Sequence, residues 1–215
     1  MNSEALKIVL EIAKQINAVP VDEVQPMRKM VIDGSNTSGF QRTAIVALNG
    51  HLDSSKGIIR IPTIAIEEES AGIISNEDGK ATYRLDRLGV PLIEITTDPD
   101  IKDGEHLSEV ASKIGMILRA TGKVARGLGT IRQDVNISTE GGARVEIKGA
   151  QDLKMLPLLL EIEVKRQTAL VSILLELRNR KALPLHQSAV DVTSIFSNTK
   201  AKIIESGIKA GSIVL

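Results

Sequence analysis

Along the first twenty positions of the chain apolar residues recur at the spacing of a helix; beyond them the period shortens to that of strands. Ala5, Leu6, Val9, Ile12, Ala13 and Ile16 share one helical face, which predicts an amphipathic helix capped by Ser3 and stopped by Pro20. From Met27 to Thr97, β-branched runs ("KMVIDG", "RTAIVALNG", "GIIRIPTIAIEEES", "ATYRLDR", "GVPLIEITT") lie between clusters of Gly, Asn, Asp and Ser. They predict a sheet of short strands with tight turns at Asn49-Gly50 and Asp78-Gly79. A second helix is expected from about Gly104, with Leu107, Val110, Ala111, Ile114 and Leu118 on one face and Gly122 at its end. "GTIRQDVNIST" and "ARVEIKGA" read as two further strands bridged by Gly141-Gly142. "LPLLLEIEVKRQTALVSILLELRNRK" reads as a long helix that tolerates Pro157 in its first turn, where an N–H would have no partner in any case. Hairpin-connected strands with interleaved helices define an α+β domain, a mostly antiparallel sheet with packed helices. After Pro184 the pattern changes to a linker followed by the opening helix and strand of another module, dividing the chain into 1–183 and 184–215.

Composition narrows the function classes. A chain of 215 residues with 42% hydrophobic side chains can bury a sizeable core. Its 27 basic and 27 acidic side chains balance, so any contact with nucleic acid must be local. The absence of cysteine excludes disulfides, thiolate metal sites and a cysteine nucleophile. Phe40, Tyr83 and Phe196 are the only aromatic residues, which argues against recognition by base stacking. No apolar run reaches the length of a membrane span, and the acidic N-terminal stretch lacks the basic start of a signal peptide; a cytoplasmic protein is expected.

Candidate chemistry concentrates in four places. Glu67, Glu68 and Glu69 close a strand, and Glu67 and Glu69 share one of its faces. Such close like charges raise one another's pKa unless a cation neutralises them, although a solvated strand end is the ordinary reading. Glu94 stands inside the apolar run Leu92-Ile93-Glu94-Ile95, where an unpaired carboxylate would be costly, so it calls for an arginine or a metal. Two acidic groups meeting across the sheet would suit a hard cation such as Mg²⁺. Arg132, Asp134 and Asn136 alternate along one strand, and Arg144, Glu146 and Lys148 along the next. This is either a solvated sheet face or the mix of cations and acids that a phosphate with Mg²⁺ requires. Finally, "VIDGSNTSGFQRT" is a polar loop whose backbone N–H groups could cradle an anion, with Ser35, Asn36, Thr37 and Arg42 as candidate contacts; it matches neither GxxxxGK[ST] nor GxGxxG, so by motif alone a generic polar loop is the alternative. His51, His106 and His186 show no metal-ligand spacing.

Five segments in order, "VIDGSNTSGFQRT", "EEESAGI", "RLDRLGVPLIEITTDPDI", "IRQDVNIS" and "RVEIKGAQDL", closely resemble the catalytic cradle domain of the B and E subunits of glutamyl-tRNA(Gln) amidotransferases. The resemblance runs from about Val19 to the end. The closing "VDVTSIFSNTKAKIIESGIKAGSIVL" is similar to the opening of the aspartyl-tRNA-synthetase-like insertion of the archaeal E type, so 1–183 is expected to be the cradle and 184–215 a linker with the start of that insertion.

The resemblance implies an ATP-dependent carbon–nitrogen ligase with glutamine as amido-N donor. ATP activates the side chain of Glu-tRNA(Gln) as a γ-glutamyl phosphate, and ammonia converts it to Gln-tRNA(Gln) for translation. It further implies an asparaginase-like glutaminase partner that supplies the ammonia, a hetero-oligomer in the cytoplasm, and Mg²⁺ held by Glu69 and Glu94. Arg132, Asp134, Glu146 and Lys148 are then expected to contact ATP phosphates or position the acceptor end of the tRNA. The family's opening G-x-E-x-H strand, whose acid and histidine join the same metal site, has no counterpart here, so little amidotransferase activity is expected of this chain alone. Two other classes stay open: a non-catalytic tRNA-docking module, and a hydrolase whose paired carboxyls straddle a glycosidic bond, a reading that the scarcity of aromatic residues disfavours.

Overall fold

The computed structural model describes residues 1–32, 34, 36–77, 79–127, 129–182 and 189–214. In chain order the elements are α1 (Ser3–Gln15), β1 (Val19–Pro20), β2 (Met27–Met30), β3 (Phe40–Ser54), β4 (Gly57–Glu68), β5 (Gly72–Glu77), β6 (Lys80–Arg84) and β7 (Pro91–Thr96). They continue with α2 (Gly104–Ala120), β8 (Val135–Ile137), β9 (Val145–Ile147), α3 (Leu156–Asn179), a 3₁₀ turn (Thr193–Phe196) and α4 (Lys202–Lys209). The chain separates into two units, Met1–Val171 and Ser172–Leu215. The expected division at 183/184 lies inside the second unit, on residues outside those described. The α+β architecture with antiparallel sheets is the one expected from sequence.

In the first unit one antiparallel sheet has the order β1-β3-β4-β7, with β2 also paired to β3. Helix α1 lies on one face of it and buries Val9, Ile12, Ala13 and Ile16 against Ala44, Val46, Ala47, Ile61, Ile64 and Ile66. Full burial of a side chain such as Ile64 contributes roughly 1.5–3 kcal/mol. The cap of α1 is Asn2 and not Ser3: Asn2 Oδ1 accepts from the N–H groups of Glu4 and Ala5, both at 3.0 Å.

The Asn49-Gly50 turn expected from sequence is not a turn. Strand β3 runs through it without interruption, and the connection to β4 is made by Ser55 and Lys56. Asn49 adopts the left-handed region (φ 56°) at the position facing Pro62, where no ladder N–H is available. Gly50 is required for close approach: a Cβ there would lie 2.9 Å from Ala18 Cβ, beside the point where His51 N–H donates to Ile16 O at 2.8 Å. In the hairpin of β5 and β6, Glu77 pairs with Lys80 and Gly79 has φ 72°; Asp78 lies outside the described residues.

A second core joins α2, the β8–β9 hairpin and the start of α3 through Leu107, Val135, Ile137, Ala150 and Leu156. Gly104 lets the two helix starts meet, since a Cβ there would lie 2.5 Å from Pro157 Cα. Strands β8 and β9 are shorter than the alternation suggested, so Arg132 and Asp134 precede β8 instead of belonging to it. In the second unit, Val192 N–H donates to Val214 O (2.9 Å) and Val214 N–H to Thr193 Oγ1 (2.8 Å), closing the segment that carries α4.

Candidate functional site

Register determines which side chains share the face of the sheet opposite α1. Ile64 and Ile66 of β4 face the helix together with their partners Ile95 and Ile93 of β7. The period of two therefore turns Ala65, Glu67, Leu92 and Glu94 to the other side. Pairing of Lys29 with Gln41, and of Thr43 with Glu67, adds Lys29 and Gln41 to the same side.

Glu67 is 7% exposed. Its Oε1 accepts from Lys29 Nζ at 3.2 Å and its Oε2 from Gln41 Nε2 at 3.2 Å; Gln41 Nε2 also donates to Glu68 O at 2.7 Å. Glu94 is the diagonal neighbour of Glu67 and keeps exposed surface, yet its pKa is raised. The largest cause is desolvation of the carboxyl by the protein around it, followed by the Glu67 carboxyl beside it; Asp134 adds to the rise and Lys29 opposes it.

Glu69 follows at the end of β4, where its N–H donates to Val90 O (2.8 Å) and Gly89 N–H donates to its carbonyl (3.0 Å). Its side chain is 15% exposed, and Oε2 accepts from Arg87 Nη2 at 2.9 Å and from Arg132 Nη2 at 2.6 Å. Glu69 and Glu94, expected to share a metal, are offset by four strand positions, roughly 13 Å at the rise of a strand. Glu67 stands between them. Among the described residues no group of three or more His, Asp or Glu side chains converges on one cation position.

The other sequence candidates divide. Arg132 joins Glu69, and the charge of Asp134 is felt at Glu94 while Asp134 Oδ1 accepts from Gly149 N–H at 3.0 Å. Glu146 and Lys148 pair with each other at 3.6 Å on the exposed hairpin; among the described residues neither has a hydrogen bond or ion pair to Glu67, Glu69 or Glu94. In the polar loop, Asn36 is buried, its Oδ1 accepting from Ser38 N–H (3.0 Å) and its Nδ2 donating to Ser70 Oγ (3.3 Å), which ties the loop to the residue after Glu69. Tyr83 Oη donates to Gly34 O at 2.6 Å. Thr37 is exposed, and Ser35 lies outside the described residues. Arg42 donates to Glu68 Oε1 at 2.8 Å, on the side of the strand away from Gln41 and Glu67.

Sequence reasoning missed Lys29, Gln41 and Arg87, and had weighed Glu67 only as a neighbour of Glu69. A Ser54–His106 contact of 2.7 Å resembles half of a nucleophilic pair but cannot act as one. His106 Nδ1 accepts from Lys102 N–H at 3.1 Å, so Nε2 carries the proton and donates to Ser54, whose hydroxyl donates to Gly57 O. The buried imidazole fastens the β3–β4 turn to α2.

Residues 1–207 match the family described as the GatB/GatE catalytic domain. The chain is 56% identical over 214 residues to the E subunit of the glutamyl-tRNA(Gln) amidotransferase of Pyrococcus abyssi, an alignment covering 99% of this chain and 34% of that protein. It is equally similar to the E subunit from Thermococcus gammatolerans, 56% identical over 214 residues with the same coverage. The E subunit from Pyrococcus horikoshii is 55% identical over 216 residues, covering 100% of this chain and 34% of the relative. The chain thus spans about a third of the length of these relatives.

Proposed function

Because the chain belongs to the family of GatB/GatE catalytic domains, we propose that its acidic sheet face is the ATP-dependent activation site of a glutamyl-tRNA(Gln) amidotransferase. One observation carries this reading: Glu94, with no ion pair among the described residues, lies beside the Lys29-bound Glu67 on the same face as an edge bearing Arg87 and Arg132. That combination suits a reaction in which a carboxylate must approach a polyphosphate. The side-chain carboxylate of the glutamyl-tRNA attacks the γ-phosphorus, the bond to the ADP oxygen breaks, and an acyl phosphate results. Ammonia then attacks the acyl carbon; phosphate leaves with the bonding electrons, and a proton is lost from nitrogen.

The donor set, carboxylate oxygens on a wet face, fits Mg²⁺, which takes oxygen ligands while keeping waters and substrate phosphates. Glu94 and its diagonal neighbour Glu67 would hold it, whereas Glu69 is engaged by Arg87 and Arg132, and the ion would supply neutralisation of the transferring phosphoryl charge. Lys29 holds Glu67 in place from the neighbouring strand. Asp134 adds negative charge to the acidic end, and Glu146 and Lys148 on the exposed hairpin would contact the acceptor end of the tRNA. The ammonia comes from an asparaginase-like glutaminase acting on glutamine, in a cytoplasmic hetero-oligomer. Among the described residues no helix is long and apolar enough to cross a membrane.

The test is calorimetric titration of the folded chain with ATP in the presence of Mg²⁺, repeated on Glu67→Ala and Glu94→Ala. Each variant is expected to lose roughly tenfold or more in affinity, the equivalent of one lost charge-assisted contact. Unchanged affinity in both would refute the assignment, and binding of Glu-tRNA without ATP would favour a tRNA-docking module instead.

A further inference from the structure

We propose that Arg87 and Arg132 form a clamp for a phosphate or polyphosphate group, and that Glu69 is the internal anion holding the two guanidiniums in place until a phosphate oxygen replaces it. The proposal rests on the nucleotide reading of this face. Both arginines place Nη2 on the same oxygen, Glu69 Oε2, so two positive charges converge where only one negative charge is supplied. Each guanidinium spends one of its five N–H donors there, and among the described residues neither has another acidic partner.

Exposure is graded in the direction an incoming anion needs. The Arg87 side chain is 42% exposed and that of Arg132 35%, whereas Glu69 beneath them is 15% exposed. A solute therefore meets guanidinium first. Arg87 is presented by a turn in which Leu88 N–H donates to Leu85 O (3.1 Å) and Val90 N–H to Arg87 O (3.1 Å). Gly89 closes that turn at φ 80°, a conformation that disfavours any side chain. Its N–H bond to Glu69 O makes the Arg87 turn and the Glu69 backbone one unit. Arg132 arrives from the segment before β8, pinned by Ala150 N–H on Gln133 O at 3.1 Å. Fixed planar donors facing one oxygen position are the arrangement that recognises phosphate.

The experiment is calorimetry with pyrophosphate as the probe and no added metal, on the whole chain and on Arg87→Ala, Arg87→Lys, Arg132→Ala and Glu69→Gln, each checked for folding by its circular-dichroism melt. Arg87→Ala and Arg132→Ala are expected to weaken binding roughly tenfold or more, and Arg87→Lys less, because an ammonium keeps the charge without the fork. Glu69→Gln is expected to tighten binding, since the competing carboxylate is gone; a purely structural ion pair gives no such gain. Pyrophosphate binding that is indifferent to Arg87 and no tighter in Glu69→Gln overturns the clamp, and if ATP still binds through Glu94 the nucleotide reading survives it. Pyrophosphate binding that follows the clamp without any ATP binding keeps the clamp and sinks the nucleotide reading. A folded chain that binds neither ligand overturns both.

Discussion

At one end of the β4–β7 pair Asp98 and Asp100 meet Arg60; at the other, Glu67 and Glu94 meet each other. Arg60 donates from Nη2 to Asp100 Oδ1 at 2.8 Å and from Nε to Asp100 Oδ2 at 3.0 Å, and lies 3.4 Å from Asp98. The hydrogen bonds from this guanidinium hold the Asp100 carboxyl down at about 2. Glu94 is pushed the other way by desolvation and by Glu67. Each pair of acids has one cation, but Arg60 reaches both aspartates, whereas Lys29 reaches Glu67 and, among the described residues, Glu94 has no ion pair. The first fastens the chain after β7 back onto β4, and the second leaves a demand for positive charge that something outside the chain can meet.

Three substitutions sharpen the contrast. Lys29→Ala has the largest expected effect, because it strips the buried Glu67 of its cation; with Lys29 itself half exposed, the loss is about 1–2 kcal/mol, read from denaturant midpoints. Arg60→Ala is expected to cost less and only at neutral pH. The Asp100 pKa is lowered on folding, so its stabilisation is present above the ordinary aspartate pKa and disappears as pH falls towards about 2. Melting curves of the variant and the parent should therefore converge in acid, and a constant gap would show that Arg60 acts by packing. Glu94→Gln has the smallest effect and the opposite sign. A pKa raised on folding costs stability above that pKa and nothing below the ordinary glutamate pKa, so the variant should melt higher at neutral pH, with the gain vanishing in acid.

How far the site could be read from sequence follows from the range of each signal. Alternation in "AIEEE" placed Glu67 and Glu69 on one side of their strand, because a period of two is local, and the apolar run "PLIEI" singled out Glu94 without giving it a side. What alternation cannot carry is the offset between β4 and β7, and that offset sets Glu67 beside Glu94 and leaves Glu69 to the arginines. Arg87 had no local signal, since its role comes from a turn that pairs with a strand eighteen positions earlier. Arg132 was found for its charge but on a strand that begins only at Val135. Asn49-Gly50 carried a strong local turn signal, and Pro62 on the partner strand together with the contact at Ala18 overrode it.

Strand β7 ends the sheet, and among the described residues it pairs with β4 alone. Its sequence, Pro-Leu-Ile-Glu-Ile-Thr, is short, β-rich and nearly uncharged, the composition from which stacked intermolecular strands form. Pro91 blocks one ladder position at its start, and Glu94 puts a charge at its centre. The carboxylate that burdens the folded molecule is therefore also expected to oppose pairing of that edge with copies of itself. Removing that charge would exchange a gain in folding stability for a loss of colloidal stability, and light scattering of the Glu94→Gln protein would register it.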